Sequence, residues 1–284
     1  VLRGEVFNFQ IAVFPQTDED CNITVEVASN LRDGIKVYKV IDMPTTYAAP
    51  DDHDDFHYDT KRTSYPDLLQ PINEDNTVTL TKGEWISLWF KYTPEMDYIA
   101  GSNSITVFLK KGMYDENNKH IFSLKTLPRQ LPMQDLIYTN WMHYDCLYKH
   151  YNVEPFTEEF WQLLRNYLKN AVAHGLNMIY TPIFTPPLDT EVGGERPTFQ
   201  LVEVDRIDVG YRFSFRHFDK FIKTCIECGI RYFEISHFFT QWGAKHAPKI
   251  IANVKGVKKQ IFGWNTNASD KDYVQFLAVF AKAF

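Results

Sequence analysis

The stretch GIRYFEISHFFTQWGAKHAPKI, residues 229–250, decides the fold of the second half of the chain. Its glycine directly follows a helical pattern, residues 231–236 form a short β-rich segment, and a polar loop with two histidines and a tryptophan comes next. Helix, glycine and strand in this order indicate a parallel α/β arrangement, in which polar groups at the carboxyl end of a strand face the ligand. We therefore expect the binding residues of this half to lie where the strand ends.

The same order of helix, glycine and strand occurs once more upstream. Residues 157–174 have apolar side chains at helical spacing, Gly175 supplies a left-handed helix end, and residues 177–181 form an apolar strand. Residues 136–142 are predicted to form the strand that precedes this helix. A third helix is expected from about Ser269 to the last residue, with no strand after it.

Three βα units cannot close a barrel, because eight are needed. We therefore predict that residues 132–284 are the first three units of a (β/α)8 TIM barrel, truncated at the C-terminus. An arm over residues 183–213, rich in proline and glycine, is too long for a simple connection and is expected to be functional.

Residues 1–131 have a different pattern of apolar and polar residues and are predicted to be a separate domain. Apolar and polar residues alternate with a period of two in residues 7–13, 23–27 and 104–109, with turns of Gly, Asn, Asp and Pro between such segments. This pattern is typical of an antiparallel β-sandwich. The predicted fold is therefore a β-sandwich followed by a partial α/β barrel.

Composition excludes some classes of function. The 284 residues carry a net charge of −6, which argues against nucleic acid as a partner because phosphate binding needs a basic face. No apolar run approaches the roughly 18 residues of a membrane-spanning helix. The aromatic share of 15% suits large cores and also aromatic sugar-binding clefts. The chain begins with Val1 and not Met, so we expect its natural start to be missing.

Polar and aromatic residues at the predicted strand ends and in the loops are the candidate substrate contacts. They are His143, Tyr144, Asp145, Tyr180, Glu234, His237, Trp242 and Trp264. Glu234 is interpreted either as an acid that contacts the ligand or as the partner of Arg231 or a nearby lysine. The two tryptophans either stack on a sugar face or pack their loops down.

The sequence supports metal and redox sites less strongly than it supports substrate contacts. His143, His237 and His246 lack the spacing of a zinc motif, so hydrogen bonding to substrate or a structural role is favoured. Cys225 and Cys228 form a C-x-x-C within a helical pattern and are expected to be buried thiols. Residues 50–55 are interpreted as a solvated loop and not as a calcium site, because the spacing of an EF-hand is absent. The adjacent acidic pairs are interpreted as solvated turns and not as catalytic dyads; they are Asp18-Glu19, Glu74-Asp75 and Asp115-Glu116. We predict no metal and no cofactor.

Several short motifs occur in a fixed order along nearly the whole chain. They are Arg3-Gly4-Glu5 with Phe9-Gln10, Tyr65-Pro66-Asp67, Trp89 before Thr93-Pro94-Glu95 and Ala100-Gly101, Trp242-Gly243-Ala244 with Ala247-Pro248-Lys249, and Phe262-Gly263-Trp264 before Tyr273 and Phe276-Leu277. In this order and at this spacing they resemble glycoside hydrolase family 123.

The resemblance implies an exo-acting, retaining β-N-acetylgalactosaminidase with a sandwich domain and a catalytic barrel. It implies that the 2-acetamido oxygen of the substrate attacks the anomeric carbon, while an adjacent Asp-Glu pair orients the acetamido group and serves as general acid/base. The implied partner is a glycan with terminal β-linked N-acetylgalactosamine, the implied location is periplasmic or extracellular, and no cofactor is implied.

One departure from the family pattern limits what is carried over. The Asp-Glu pair would follow the next barrel strand, after the helix on which this chain stops, and no residue here matches it. We therefore assign no catalytic residue and expect the 284-residue fragment to be inactive. Two alternatives stay open: a carbohydrate-binding sandwich, for which Trp85 and Trp89 on one strand face are the candidates, and a barrel hydrolase for another glycan.

Overall fold

The structure is a computed structural model that describes residues 1–31, 34–44, 64–94, 100–112, 118–241 and 243–284. The chain divides into two compact units, Val1–Met133 and Gln134–Phe284. Among the described residues, no helix combines the length and the apolar content that crossing a bilayer requires.

The first unit consists of two antiparallel sheets. Its strands are β1 (Phe7–Val13), β2 (Cys21–Ser29), β3 (Lys36–Pro44), β4 (Ser64–Pro71), β5 (Thr77–Leu80), β6 (Ile86–Tyr92), β7 (Gly101–Lys110) and β8 (Lys119–Thr126). One sheet has the order β1-β6-β3-β4 and the other has the order β5-β2-β7-β8. The predicted antiparallel strands of this half are thus confirmed.

Alternation along the strands explains why the two sheets share one core. In β6, Ile86, Leu88, Phe90 and Tyr92 are buried while the residues between them are not. They belong to the same cluster as apolar residues of β2 and β7, which lie in the other sheet. A period of two places every second side chain on the inner face of its sheet.

The second unit has helices α1 (Tyr144–His150), α2 (Glu158–Ala173), α3 (Arg216–Glu227) and α4 (Lys271–Ala283). Its strands are β9 (Met178–Thr181), β10 (Glu203–Ile207), β11 (Gly210–Ser214), β12 (Tyr232–Ile235), β13 (Ile250–Val254) and β14 (Val257–Phe262). Strands β9 and β12 pair in parallel, and the other four form a sheet of order β11-β10-β13-β14.

The predicted helix, glycine and strand order is confirmed at both places. The Thr157 side chain accepts from the backbone N–H of Phe160 at 3.3 Å, which caps the start of α2. Gly175 after α2 has φ 96° and Gly229 after α3 has φ 104°, a conformation that favours glycine. Each helix therefore ends at the predicted glycine, directly before β9 or β12.

The prediction of a strand over residues 136–142 is wrong. This segment makes only one isolated parallel bridge, between Thr139 and Met178. Leu136 is 73% and Ile137 is 52% exposed, so the beginning of the apolar run that suggested a buried strand is not buried. An apolar run forms a stable strand only where pairing and burial are both available.

His143, Tyr144 and Asp145 were expected at the end of that strand and instead begin helix α1. His143 is the N-cap residue, and Asp145 lies in the first turn, where a carboxylate suits the positive end of the helix dipole. Tyr144 and Leu147 are buried on one face of the helix, and this burial favours the helix over an extended chain.

The proline- and glycine-rich arm and the loop after β12 contain two hairpins that the sequence reading missed. The pairs β10–β11 and β13–β14 join to form the four-stranded sheet, with β10 and β13 parallel. Lys255 and Gly256 have φ values of 53° and 84°, and this pair of left-handed residues makes the tight β13–β14 turn. The described residues thus contain one parallel strand pair and this mixed sheet, and not three consecutive parallel strands.

Candidate functional site

The candidate site lies at the carboxyl ends of the parallel strands β9 and β12. The register pairs Tyr180 with Glu234 and Thr181 with Ile235. The two strands therefore end side by side, and the loops that follow them leave from the same edge. Polar groups at such an edge are placed where parallel α/β proteins bind ligands.

Four side chains at this edge form what we call the aromatic–carboxylate cluster: Trp141, Tyr180, Glu234 and His237. The indole Nε1–H of Trp141 donates to Oε2 of Glu234 at 2.8 Å. The Trp141 ring centroid lies 5.2 Å from that of Tyr180 and 5.6 Å from that of His237. The cluster thus combines an aromatic surface with one carboxylate and one imidazole.

The carboxylate of Glu234 has an indole as its hydrogen-bond partner. Within the described part of the chain it forms no ion pair with Arg231 or with a lysine, so the structural interpretation of this residue is not supported. The indole that donates to it is neutral, so the bond orients the carboxylate without pairing it with a positive charge. A half-buried carboxylate in this state is a strong acceptor for hydroxyl groups of a ligand.

Tyr180 and His237 are joined by hydrogen bonds. Burial raises the pKa of the Tyr180 hydroxyl above its ordinary value, so it keeps its proton at neutral pH. The hydroxyl accepts from the backbone N–H of His237 at 3.3 Å and lies 3.2 Å from Nδ1 of the same residue. A neutral imidazole that accepts from Tyr180 at Nδ1 carries its own proton on Nε2, which leaves an N–H donor for a ligand.

Tyr144 lies behind this cluster. It is 1% exposed, and its hydroxyl donates to the backbone oxygen of Tyr180 at 2.8 Å. Its ring stacks on Phe199 with centroids 5.1 Å apart. Tyr144 therefore supports β9 at Tyr180, near the carboxyl end of the strand. The hydroxyl of Tyr144 points into the protein.

His143 and Asp145 contact the long arm and not the aromatic–carboxylate cluster. The imidazole Nε2 of His143 forms a very short hydrogen bond with Oδ2 of Asp189. The Arg196 guanidinium donates from Nη2 to both Asp145 oxygens at 3.0 Å. The side chains of Arg196 and Asp145 are 12% and 10% exposed, so this is a buried ion pair that ties the arm to α1.

Trp264 lies in the same unit but is not a member of the aromatic–carboxylate cluster. Its indole N–H donates to the backbone oxygen of Gly194, and its ring centroid lies 5.5 Å from that of His246. An open groove of about 390 Å³ runs beside it, which we call the Trp264 groove. Its lining residues are Glu195, Gln260, Ile261, Phe262, Trp264 and Asn265.

The structure brings Tyr180, Glu234 and His237 together as the strand-end rule predicts, and it places Trp264 beside an open groove. Trp242 lies outside the described residues, as do residues 50–55 and the pair Asp115-Glu116. The role of all eight candidates as substrate contacts stays a prediction. The sequence reading missed Trp141, Asp189 and Arg196, of which only Trp141 carried a signal, as a tryptophan near the end of an apolar run.

Metal-binding and thiol chemistry find little support in these residues. Among the described residues no three His, Cys, Asp or Glu side chains are placed to hold one metal ion. Cys225 and Cys228 are buried and free, which confirms them as buried thiols. Burial raises the pKa of both thiols, so neither is a thiolate at neutral pH.

Comparison with known proteins identifies a family, and solved structures are similar to the chain. The profile of the glycoside hydrolase 123 catalytic domain matches residues 141–284, about half of the chain. No curated protein matches the sequence. A family 123 glycoside hydrolase from Clostridium perfringens, solved in a study of glycolipid glycan hydrolysis, is similar with a TM-score of 0.77 and 14% identity.

That structural similarity covers 100% of this chain and 50% of the other one. The chain therefore spans about half the length of the Clostridium perfringens protein. At this level of identity the similarity shows the fold, and the family comes from the match over the second unit.

Proposed function

Because the chain belongs to glycoside hydrolase family 123, we propose that the whole protein is an exo-acting, retaining β-N-acetylgalactosaminidase. The observation that carries the proposal is the match of the family catalytic domain to residues 141–284, the same half that holds the aromatic–carboxylate cluster. The Clostridium perfringens relative hydrolyses glycolipid glycans. We propose a glycan with terminal β-linked N-acetylgalactosamine as the substrate here, and a periplasmic or extracellular location.

The proposed reaction is substrate-assisted. The 2-acetamido oxygen attacks the anomeric carbon as the leaving group takes a proton from a glutamic acid, and water then opens the resulting ring with the glutamate as base. An aspartate beside that glutamate orients the acetamido group. We propose that this Asp-Glu pair lies outside residues 1–284 and that β9 and β12 belong to a (β/α)8 barrel completed by further sequence.

In this proposal the aromatic–carboxylate cluster binds the sugar and does not perform the bond cleavage. Trp141, which is 41% exposed, offers an aromatic face for the C–H side of a sugar ring, and the buried Tyr180 packs behind it. Glu234 accepts hydrogen bonds from sugar hydroxyls, and the His237 imidazole donates one from Nε2. A carboxylate oriented by a neutral indole is well suited to this role, because no cation in the described part of the chain competes for it.

The test is to express the full-length protein and assay it on chromogenic β-N-acetylgalactosaminide and β-N-acetylglucosaminide substrates. We expect release from the first and loss of that release when the Asp-Glu pair beyond Phe284 is changed to amides. Turnover of another glycoside instead would favour a barrel hydrolase for a different glycan. A full-length protein that is silent on all of them would contradict the proposal.

A second candidate function is carbohydrate binding by the first unit. Trp85, directly before β6, is 70% exposed, and its ring centroid lies 5.1 Å from that of Phe14, which is 41% exposed. Exposed aromatic pairs of this kind suit sugar stacking. Trp85→Ala in the full-length protein should then weaken retention on a glycan matrix and leave turnover of a small chromogenic substrate unchanged.

A further inference from the structure

A small polar pocket lies in the second unit, beside the Trp264 groove. It has a volume of about 10 Å³, and we call it the polar pocket. Its polar and aromatic lining consists of Thr185, Thr190, Glu195, Arg196, Thr240, Lys249 and Trp264. A volume of this size holds one water-sized group. The pocket and the Trp264 groove share Glu195 and Trp264, so the two are adjacent.

Four residues of this lining carry a buried polar atom without a hydrogen-bond partner among the described residues. These atoms are the hydroxyl oxygens of Thr185, Thr190 and Thr240, and Nε of Arg196. Thr185 is 2% and Thr240 is 4% exposed, so bulk water does not replace the missing partners. The clustering of these atoms at one small pocket is the observation on which the inference depends.

Unpaired buried polar groups are costly. Each one has lost its hydrogen bonds to water on folding without gaining a partner in the protein, which lowers the free energy of unfolding. Native proteins leave few such groups, and several at one place indicate a partner that comes from outside the chain. The polar pocket is therefore built to receive a group that both donates and accepts hydrogen bonds.

The two most buried threonines lie close to the candidate site in the chain, which supports a ligand that binds at the carboxyl ends of β9 and β12. Thr185 lies in the segment that follows β9, and Thr240 lies in the segment that follows β12. These strands are parallel and in register, so both threonines leave from the edge that carries Tyr180 and Glu234. The polar pocket thus belongs to the ligand edge of this unit.

The charges around the pocket favour a neutral group over an anion. Arg196 is already paired with Asp145, with both oxygens at 3.0 Å. Lys249 lies 3.7 Å from a carboxylate oxygen of Glu195 and donates to the backbone oxygen of Arg196 at 2.8 Å. Each cation thus has its own counter-charge, and the pocket is too small for a carboxylate or a sulfate group.

We propose that the polar pocket binds one hydroxyl group of a sugar unit whose ring lies in the Trp264 groove, and that Thr185 and Thr240 select for this hydroxyl. A hydroxyl matches the lining because it donates one hydrogen bond and accepts two. The inference rests on the proposed function, since it takes the substrate to be a glycan. It adds the residues that determine which sugar is accepted at this position.

The experiment compares Thr185→Val and Thr240→Val with the unchanged full-length protein. Valine keeps the shape of threonine and removes the hydroxyl. The matched control is Thr126→Val in β8, because Thr126 is 1% exposed and its hydroxyl also has no partner among the described residues. Binding of N-acetylgalactosamine, N-acetylglucosamine, galactose and glucose is measured by calorimetry, together with the Tm of the unliganded protein.

We expect the two pocket variants to weaken binding of the preferred sugar about three- to tenfold, which corresponds to one lost hydrogen bond. Their Tm without sugar should be unchanged or higher, since no partner is lost, and Thr126→Val should leave binding unchanged. A deoxy analogue that lacks the selected hydroxyl should bind the variants and the unchanged protein equally, as a double-mutant cycle requires.

Unchanged sugar binding in both pocket variants would overturn the inference, whether or not the enzyme is active. A lower Tm with unchanged binding would assign the pocket to a structural water and would also overturn it. Turnover of chromogenic substrate is measured separately. If the protein turns over substrate but sugar binding is the same in both threonine variants, only this inference is refuted. If sugar binding depends on the threonines but no substrate is turned over, only the proposed hydrolase activity is refuted.

Discussion

The indole of Trp141 and the carboxylate of Glu234 are joined by a hydrogen bond of 2.8 Å across 93 positions of sequence. Trp141 precedes α1 by three residues, and Glu234 lies on β12 opposite Tyr180. The bond fixes the direction of a carboxylate that has no cationic partner among the described residues. It also holds an aromatic ring against the end of β9, with centroids of Trp141 and Tyr180 5.2 Å apart.

Trp141→Phe should lower kcat/KM of the full-length protein. Expressed as free energies, this loss should exceed the decrease in the free energy of unfolding. The ring keeps its aromatic face but no longer donates to Glu234, so the carboxylate loses its fixed direction. One hydrogen bond to a charged group contributes about 1.5–3 kcal/mol, which corresponds to a loss of about ten- to a hundredfold in kcat/KM if all of it acts on the bound transition state.

The matched control for this change is Trp89→Phe in the first unit, where the indole donates to Oδ1 of Asn8 at 3.2 Å. Steady-state kinetics on a small chromogenic substrate should leave this control unaffected. Equal losses in both variants, or a Glu234→Gln variant with full activity, would show that the carboxylate does not contact the substrate.

Stability should fall steeply above pH 10 because of buried tyrosines. Burial raises the pKa of Tyr144, Tyr180 and Tyr273 above the ordinary value near 10. Above pH 10 the unfolded chain releases these protons while the folded chain keeps them, so the unfolded state binds fewer protons and the free energy of unfolding decreases. Each residue contributes a slope of up to about 1.4 kcal/mol per pH unit.

Urea unfolding between pH 8 and pH 11 measures this slope. Tyr180→Phe removes one of the three groups and should make the decrease shallower than in the unchanged protein. The prediction fails if Tyr180→Phe and the unchanged protein show the same dependence of stability on pH.

Features that depend on local sequence were predictable here, and features that depend on partners distant in sequence were not. Alternation of apolar and polar residues and the glycines after α2 and α3 act within a few residues, so the strands at residues 7–13, 23–27 and 104–109 and both helix ends were predicted correctly. The run at residues 136–142 has the apolar composition of a strand, but its fate depends on whether other elements cover it.

The candidate site also combines features set by local sequence with features set by distant partners. Tyr180, Glu234 and His237 follow from the rule that ligand residues lie at parallel strand ends. The pairing of Trp141 with Glu234 could not be predicted, because no sequence pattern indicates which indole reaches which carboxylate. The polar pocket was also beyond the sequence, since threonine is common in loops and only the tertiary structure shows which hydroxyls are left without partners.

Breaking the ion pair between Arg196 and Asp145 should destabilise the second unit strongly. Both side chains are nearly buried, so Arg196→Ala leaves a carboxylate in the interior without compensation, at a cost of about 3–5 kcal/mol. The control is Arg212→Ala on the β10–β11 hairpin, where Arg212 is 72% exposed and its bond to Asp205 contributes about 1 kcal/mol or less. Urea unfolding compares the two, and similar losses would contradict the buried pairing.

Gly229→Ala should be more damaging than the same change at another left-handed glycine. Gly229 has φ 104°, and a Cβ there would lie 3.0 Å from Cγ1 of Val172 on α2. The backbone strain costs about 1–3 kcal/mol, and the steric contact adds to it. Gly256→Ala tests the strain alone, because Gly256 has φ 84° and open space where its Cβ would lie.

The double variant Gly229→Ala with Val172→Ala then separates the two contributions. Val172→Ala removes the methyl groups that a new Cβ would meet, so the double variant should be more stable than the sum of the single losses predicts. Thermal unfolding compares the unchanged protein with the three single variants and the double variant. A cost at Gly229 equal to that at Gly256, with strictly additive losses in the double variant, would show that α2 and the end of α3 are not packed as closely as the 3.0 Å approach requires.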